Sequence, residues 1–207
     1  MRQRTVGSEA LLIELADHAD VAAAYAHITR LIVAGVLPAP RDVVPAARTL
    51  LVDGVTPDRW WSALIAAGPI GATTTTDAIE ARLVRIPVRY DGADLDEVAR
   101  QWRCRPEAVI DRHQRADYTV AFCGFAPGFA YCTSDPALPE VERRADPRTR
   151  VPVGSVGLAG PYCGIYPSSM PGGWQLLGTT SEVLFDAGRE SPALLQPGDR
   201  VCFVAEQ

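Results

Sequence analysis

The chain has 207 residues, enough for one large domain or two small ones. Hydrophobic residues make up 47% and charged residues 22%, the composition of a globular protein with a packed core. The formal net charge of −5 and the scattered arginines argue against a nucleic-acid partner, which needs a concentrated basic patch, and no apolar run is long enough for a membrane helix.

In chain order, the basic start Met1-Arg2-Gln3-Arg4 is not followed by an apolar signal core, so a cytoplasmic location is expected. Residues 10–15 are an apolar run suited to a strand, and Asp17 and Asp20 are candidate helix caps. Val21, Ala24, Tyr25, Ile28, Leu31 and Ile32 then recur at helical spacing, with Gly35 as a stop signal. Pro38, Pro40 and Pro45 predict an extended connection. Residues 47–52 read as a strand, Asp53-Gly54 as a turn, and Pro57 as the opening of a second helix through Trp60, Leu64 and Ile65 to Gly68. The threonine run at residues 73–76 reads as a loop, and residues 82–90 as a further strand. Residues 1–84 are thus expected to form a small α+β domain, ferredoxin-like in layout.

Beyond this point two short helices are predicted, at 94–102 with Leu95, Val98 and Ala99 on one face and at 106–115 with Val109 and Ile110. Strands are predicted at 118–122, 151–158, 162–166, 175–179, 183–185 and 200–204, the last entered through the turn Pro197-Gly198-Asp199. A β-barrel with one or two helices, over residues 85–207, explains this pattern. The cysteines Cys104, Cys123, Cys132, Cys163 and Cys202 are odd in number and include no C-x-x-C pair. Free buried thiols are expected, with neither a disulfide framework nor a metal site.

Residues 122–180 are dense in glycine, proline and aromatics, which implies short strands joined by shaped loops. Pro127, Gly128, Pro152, Gly154, Pro171, Gly172 and Gly173 are the expected loop-shaping residues. Phe125, Phe129, Tyr131 and Trp174 read as core packing or as walls of a pocket. His113 reads either as a proton carrier or as a residue complementing the dipole at a helix C-terminus. Arg148 and Arg150 lie between prolines, where a guanidinium would clamp a carboxylate or phosphate or remain a solvated charge. Ser155, Tyr166 and Gln175 place polar groups on backbone fixed by their neighbours. No G-x-S-x-G, H-E-x-x-H or phosphate-loop pattern occurs, and the C-terminal half has no lysine.

Four segments together carry a resemblance: Gly124-Phe125-x-Pro127-Gly128-Phe129-x-Tyr131, Pro147-Arg148-x-Arg150-Val151-Pro152-x-Gly154-Ser155-Val156, Gly164-Ile165-Tyr166-Pro167, and Ser169-x-Pro171-Gly172-Gly173-Trp174-x-Leu176-x-Gly178. In this order they resemble the signature of the allophanate hydrolase subunit 1 / KipI family, which includes 5-oxoprolinase B-type subunits and carboxyltransferase subdomains. The resemblance runs from Leu83 to Val204 and takes in His113. It implies an N-terminal α+β domain before a cyclophilin-like β-barrel. It also implies a C-type partner of the allophanate hydrolase subunit 2 kind, a third component of A type, and ATP used by the complex to open a cyclic or linear amide. On that resemblance His113 is the expected catalytic proton carrier, Arg150 the carboxylate clamp, and Ser155, Tyr166 and Gln175 the substrate-orienting groups. Other branches imply inhibition of a histidine kinase, or carboxyl transfer in urea metabolism. Cys123, Ala126, Ala130, Cys132 and the segment Pro161-Tyr162-Cys163 depart from the family pattern, which bears on substrate detail more than on the fold.

Overall fold

Alternation of buried and exposed side chains builds the first sheet. On β2 (Ala10–Glu14) Leu11 and Ile13 are fully buried, as are Leu50 and Val52 on β4 (Thr49–Asp53). The antiparallel register pairs Leu11 with Val52 and Ile13 with Leu50, so both apolar rows lie on one face. That face is covered by α1 (His18–Val33), through Val21, Ala24 and Ile28, and by α2 (Pro57–Ala66), through Trp60 and Leu64. Asp17 caps α1, its carboxylate accepting from the Asp20 N–H at 2.9 Å. The computed structural model describes residues 1–69 and 81–206, and the threonine run expected as a loop lies outside the described residues.

The chain divides into two compact units, Met1–Glu80 and Ala81–Gln207. The expected boundary after residue 84 falls within β5 (Leu83–Val88), all of which belongs to the second unit. In the first unit β1 (Arg2–Val6) and β3 (Asp42–Pro45) complete an antiparallel sheet of order β1-β2-β4-β3. Neither was legible as a strand. Every residue of β1 is exposed, so it carries no apolar period, and β3 is an edge strand ending at Pro45. The outer strand beside β2 comes from before it in the chain, where a ferredoxin-like layout would supply it from after α2.

The second unit is a curled seven-stranded sheet of order β12-β9-β10-β7-β6-β13-β5. Its strands are β5, β6 (Asp117–Cys123), β7 (Ala130–Asp135), β9 (Ser155–Ala159), β10 (Tyr162–Ile165), β12 (Gln175–Thr179) and β13 (Arg200–Ala205). The edge strands β12 and β5 meet at a single bridge, where Arg89 and Thr179 exchange two N–H···O bonds of 2.8 Å. Gly178 permits this closure, since a Cβ there would overlap the Arg89 carbonyl. The helices α3 (Leu95–Gln101) and α4 (Pro106–Arg115) add Val98, Ala99 and Val109 to a core shared with Ile86, Val88 and Phe203. A second cluster holds Phe129 edge-on to both Tyr166 and Trp174 at centroid distances of 5.4 Å, an arrangement worth about 1 kcal/mol per pair beyond area burial.

The structure departs from the expected strands at three places. The run expected at 151–158 is β8 (Arg148–Val151) followed by β9, with a turn at Gly154 (φ 77°) between them. β8 pairs with β11 (Met170–Gly172) in a separate ribbon. β7 was missed because its buried residues, Ala130 and Cys132, are small and weakly apolar. The strand expected at 183–185 reduces to one bridge between Phe185 and Ala193.

Gly178→Ala is expected to destabilise the protein by about 3 kcal/mol or more, because backbone must move to admit the methyl group. Gly124→Ala, where a Cβ meets nothing within 4 Å, is expected to stay within about 0.5 kcal/mol of wild type. Urea denaturation of both variants checks the pair.

Candidate functional site

Asp94 stands at the start of α3, where a local reading makes it a helix cap, yet its side chain makes no capping bond. The carboxylate is 4% exposed and turns inward instead. Its Oδ1 accepts from Arg144 Nη1 at 3.1 Å and Arg148 Nη2 at 2.8 Å, and its Oδ2 accepts from the Leu176 N–H at 2.8 Å. The Asp94 N–H in turn donates to the Leu176 carbonyl at 3.1 Å. A buried carboxylate is tolerated when paired and hydrogen-bonded in this way. One residue thereby ties α3, β12, β8 and the segment around Arg144 together.

Beside this knot lies an open cleft of about 480 Å³, walled by Glu97, Gln101, Glu142, Arg143, Arg144 and Gln175. Glu97 accepts from Arg100 Nε and Nη2 at 2.8 and 2.6 Å and from Gln101 Nε2 at 2.9 Å, and these bonds hold its carboxyl down at about 2. The Glu142 N–H donates to Gln101 Oε1 at 2.8 Å, and Gln175 Nε2 donates to the Glu142 carbonyl at 3.1 Å. Gln175 Oε1 and Arg148 Nη1 are buried with no hydrogen-bond partner among the described residues. Arg144 is tied to Asp94, while Arg143 makes no ion pair among the described residues. Among the described residues the cleft therefore offers one guanidinium without an ion pair, one buried amide oxygen without a donor, and two carboxylates, Glu142 and Asp146, that also lack an ion pair.

Of the residues expected from the sequence to form a site, Gln175 lies in this cleft. Tyr166 is buried in the aromatic cluster, its hydroxyl bonded by the Trp174 backbone and raised in pKa by burial, with Arg143 and Arg148 pulling the other way. Ser155 is 1% exposed at the start of β9, and its carbonyl accepts from the Tyr166 N–H at 2.9 Å. Arg150 is exposed, its Nε donating to Ser169 Oγ at 2.9 Å. Of the expected loop-shaping residues, Gly128 (φ 82°) and Gly154 have positive φ, which favours glycine. At Gly172 a Cβ would overlap the Tyr166 hydroxyl.

His113 has no exposed surface. Its Nδ1 lies 2.8 Å from Tyr90 Oη and its Nε2 3.3 Å from Cys163 Sγ, while its ring packs 4.5 Å from that of Phe203. Burial pushes its pKa down to about 3, so it is a neutral bridge inside the sheet. Both ring nitrogens are thus engaged inside the core, and none of the imidazole faces the surface.

Sequence reasoning missed Asp94, Glu142, Arg143 and Arg144 as site residues. The arginine pairs at 143–144 and 148–150 were the available signal. Asp94 carried none, because an aspartate before a helix is fully explained by capping.

Residues 1–195 match the family described as Carboxyltransferase domain, subdomain C and D. The 5-oxoprolinase B subunit of Escherichia coli O157:H7 is 45% identical over 152 residues, which are 72% of this chain and 65% of that protein. That of Haemophilus influenzae is 47% identical over 130 residues, 61% of each chain. The matched stretches thus span 61–65% of these relatives' lengths. The crystal structure of TTHA0988 aligns with a TM-score of 0.73 and 36% identity, over 96% of this chain and 40% of that one. The urea amidolyase of K. lactis aligns over 99% of this chain and 15% of its own with a TM-score of 0.77. At 18% identity that likeness is one of fold alone.

The buried histidine gives a pH signature. Its pKa is about 3 when folded against an ordinary 6.5, so between these values the unfolded chain binds a proton that the folded chain does not. Its stabilising contribution is complete above pH 6.5 and is lost as pH falls, at a limiting slope of about 1.4 kcal/mol per pH unit. His113→Gln is expected to flatten this slope between pH 6.5 and 5. Denaturant titrations at successive pH values measure it, and equal slopes in the two proteins would contradict the assignment.

Proposed function

Because this chain belongs to the carboxyltransferase subdomain C and D family, we propose that it serves as the B-type subunit of an ATP-dependent 5-oxoprolinase. The observation that carries this reading is the 45–47% identity to proteins named as the B subunit of 5-oxoprolinase. The chain works with a C-type partner and a third, A-type component, in the cytoplasm, and its second unit is a cyclophilin-like barrel. The substrate is a five-membered lactam bearing a carboxylate. ATP would phosphorylate the amide oxygen and leave as ADP, water would add to the carbonyl carbon, the ring C–N bond would break with the nitrogen taking a proton to give a γ-glutamyl phosphate, and a second water would release glutamate and phosphate.

The chain contains no lysine. The partners therefore supply any lysine that holds the triphosphate, and we place ATP on their side of the complex. This chain contributes the polar cleft beside Asp94. The openness of that cleft fits a site closed by a partner, as water must be excluded from an activated amide. His113 in this reading keeps the core fixed behind the cleft, and proton transfer to the substrate falls to groups in the closed complex.

A second reading, a KipI-like inhibitor of a histidine kinase, draws on Phe125. This side chain is 69% exposed on backbone of φ 72°, a conformation a bulky residue seldom adopts without a reason.

The test is 5-oxoproline hydrolysis with ATP by this chain together with its A-type and C-type partners. Turnover is expected with all three and a fall to background when this chain is omitted. An unchanged rate without it would overturn the proposal. Suppression of kinase autophosphorylation by the chain alone, with no effect on hydrolysis, would favour the second reading.

A further inference from the structure

The cleft presents a particular pair of unmet valences. Gln175 is 4% exposed, and its amide is oriented by the 3.1 Å bond from Nε2 to the Glu142 carbonyl. That bond commits the nitrogen and leaves Oε1 as a buried acceptor with no donor among the described residues. A buried acceptor of this kind gains by receiving an N–H or O–H. Across the same cleft Arg143 is the lining cation without an ion pair among the described residues, since Arg144 is committed to Asp94. Of the cleft carboxylates, Asp94 is held by Arg144 and Arg148 and Glu97 by Arg100 and Gln101, while Glu142 and Asp146 make no ion pair among the described residues and leave Arg143 free to take a carboxylate from a ligand. A bare anion would satisfy Arg143 but leave Gln175 unpaired, and a bare amide would do the reverse.

We propose that Gln175 Oε1 accepts the lactam N–H of a carboxylated cyclic amide and that Arg143 holds its carboxylate, making this pair the substrate-selecting element of the chain. The proposal rests on the 5-oxoprolinase reading and deepens it. In 5-oxoproline the N–H and the carboxylate sit on adjacent ring atoms, so one small molecule carries the partners of both groups. Arg150, expected from the sequence to be the clamp, is instead exposed and bonded to Ser169. Arg143 can engage a carboxylate through two parallel N–H bonds, which fixes orientation as well as charge.

The experiment measures binding of 5-oxoproline and of 2-pyrrolidinone, which lacks the carboxylate, to the assembled complex by titration calorimetry, with ATP-dependent turnover recorded in parallel. Arg143→Ala is expected to weaken 5-oxoproline at least tenfold and to leave 2-pyrrolidinone within twofold. Gln175→Leu is expected to weaken both ligands. Arg143 is an exposed residue of the cleft wall, so its variant keeps the test decisive if the buried substitution fails to fold. Wild-type affinity for 5-oxoproline in Arg143→Ala would overturn the proposal, as would a wild-type complex that binds neither ligand. Binding with the expected variant pattern but no turnover would uphold the site and overturn the 5-oxoprolinase reading instead.

Discussion

The second unit depends on how a single buried carboxylate is neutralised. Asp94 is shielded from water, and an unpaired charge in that position would be costly enough to favour opening of the structure. Two guanidinium groups and a backbone N–H meet it instead. The partners lie 50, 54 and 82 residues away in the chain. The ion cluster therefore acts as a long-range tie, fixing the start of α3 against β12 and drawing in the ribbon that begins at β8. The cleft takes its shape from that tie, since Arg144 and Gln175 in its wall are held by Asp94 directly or through the adjoining Leu176.

Chemistry is partitioned between the inside of the curled sheet and this wall. Inside, His113, Tyr90 and Cys163 satisfy one another, and burial raises the tyrosine and cysteine pKa values while lowering that of the imidazole. All three remain neutral, so the interior stays a packed core with polar bridges. The wall retains the charged and unpaired groups. An open cleft with few fixed polar atoms orients a small ligand but does not exclude water.

Much of the fold was readable because its signals are local. Pro57 before the Trp60 and Leu64 face, the run from Leu95 to Ala99, and the strand opening at Gln175 each carry their own periodicity or punctuation. What escaped lacked such a signal. β1 has no buried face, β7 buries only small residues, and the turn at Gly154 divides what looked like one strand. The site was less legible than the fold for a related reason. Gln175 was singled out and lies in the cleft, but the importance of Asp94 is created by partners far away in sequence. The rarity of histidine drew attention to His113, whereas rarity says nothing about burial. Arg148 and Arg150 look alike in the chain, yet one is drawn to Asp94 and the other faces solvent beside Ser169.

Asp94 holds the cleft walls together. Amide hydrogen exchange on Asp94→Ala tests this most directly, because exchange reports local opening segment by segment. Faster exchange is predicted at Leu176 and across residues 142–148, with protection unchanged in β2 and β4 of the first unit. Wild-type protection at Leu176 and through 142–148 would contradict the account and leave the ion cluster as a surface detail rather than the frame of the site.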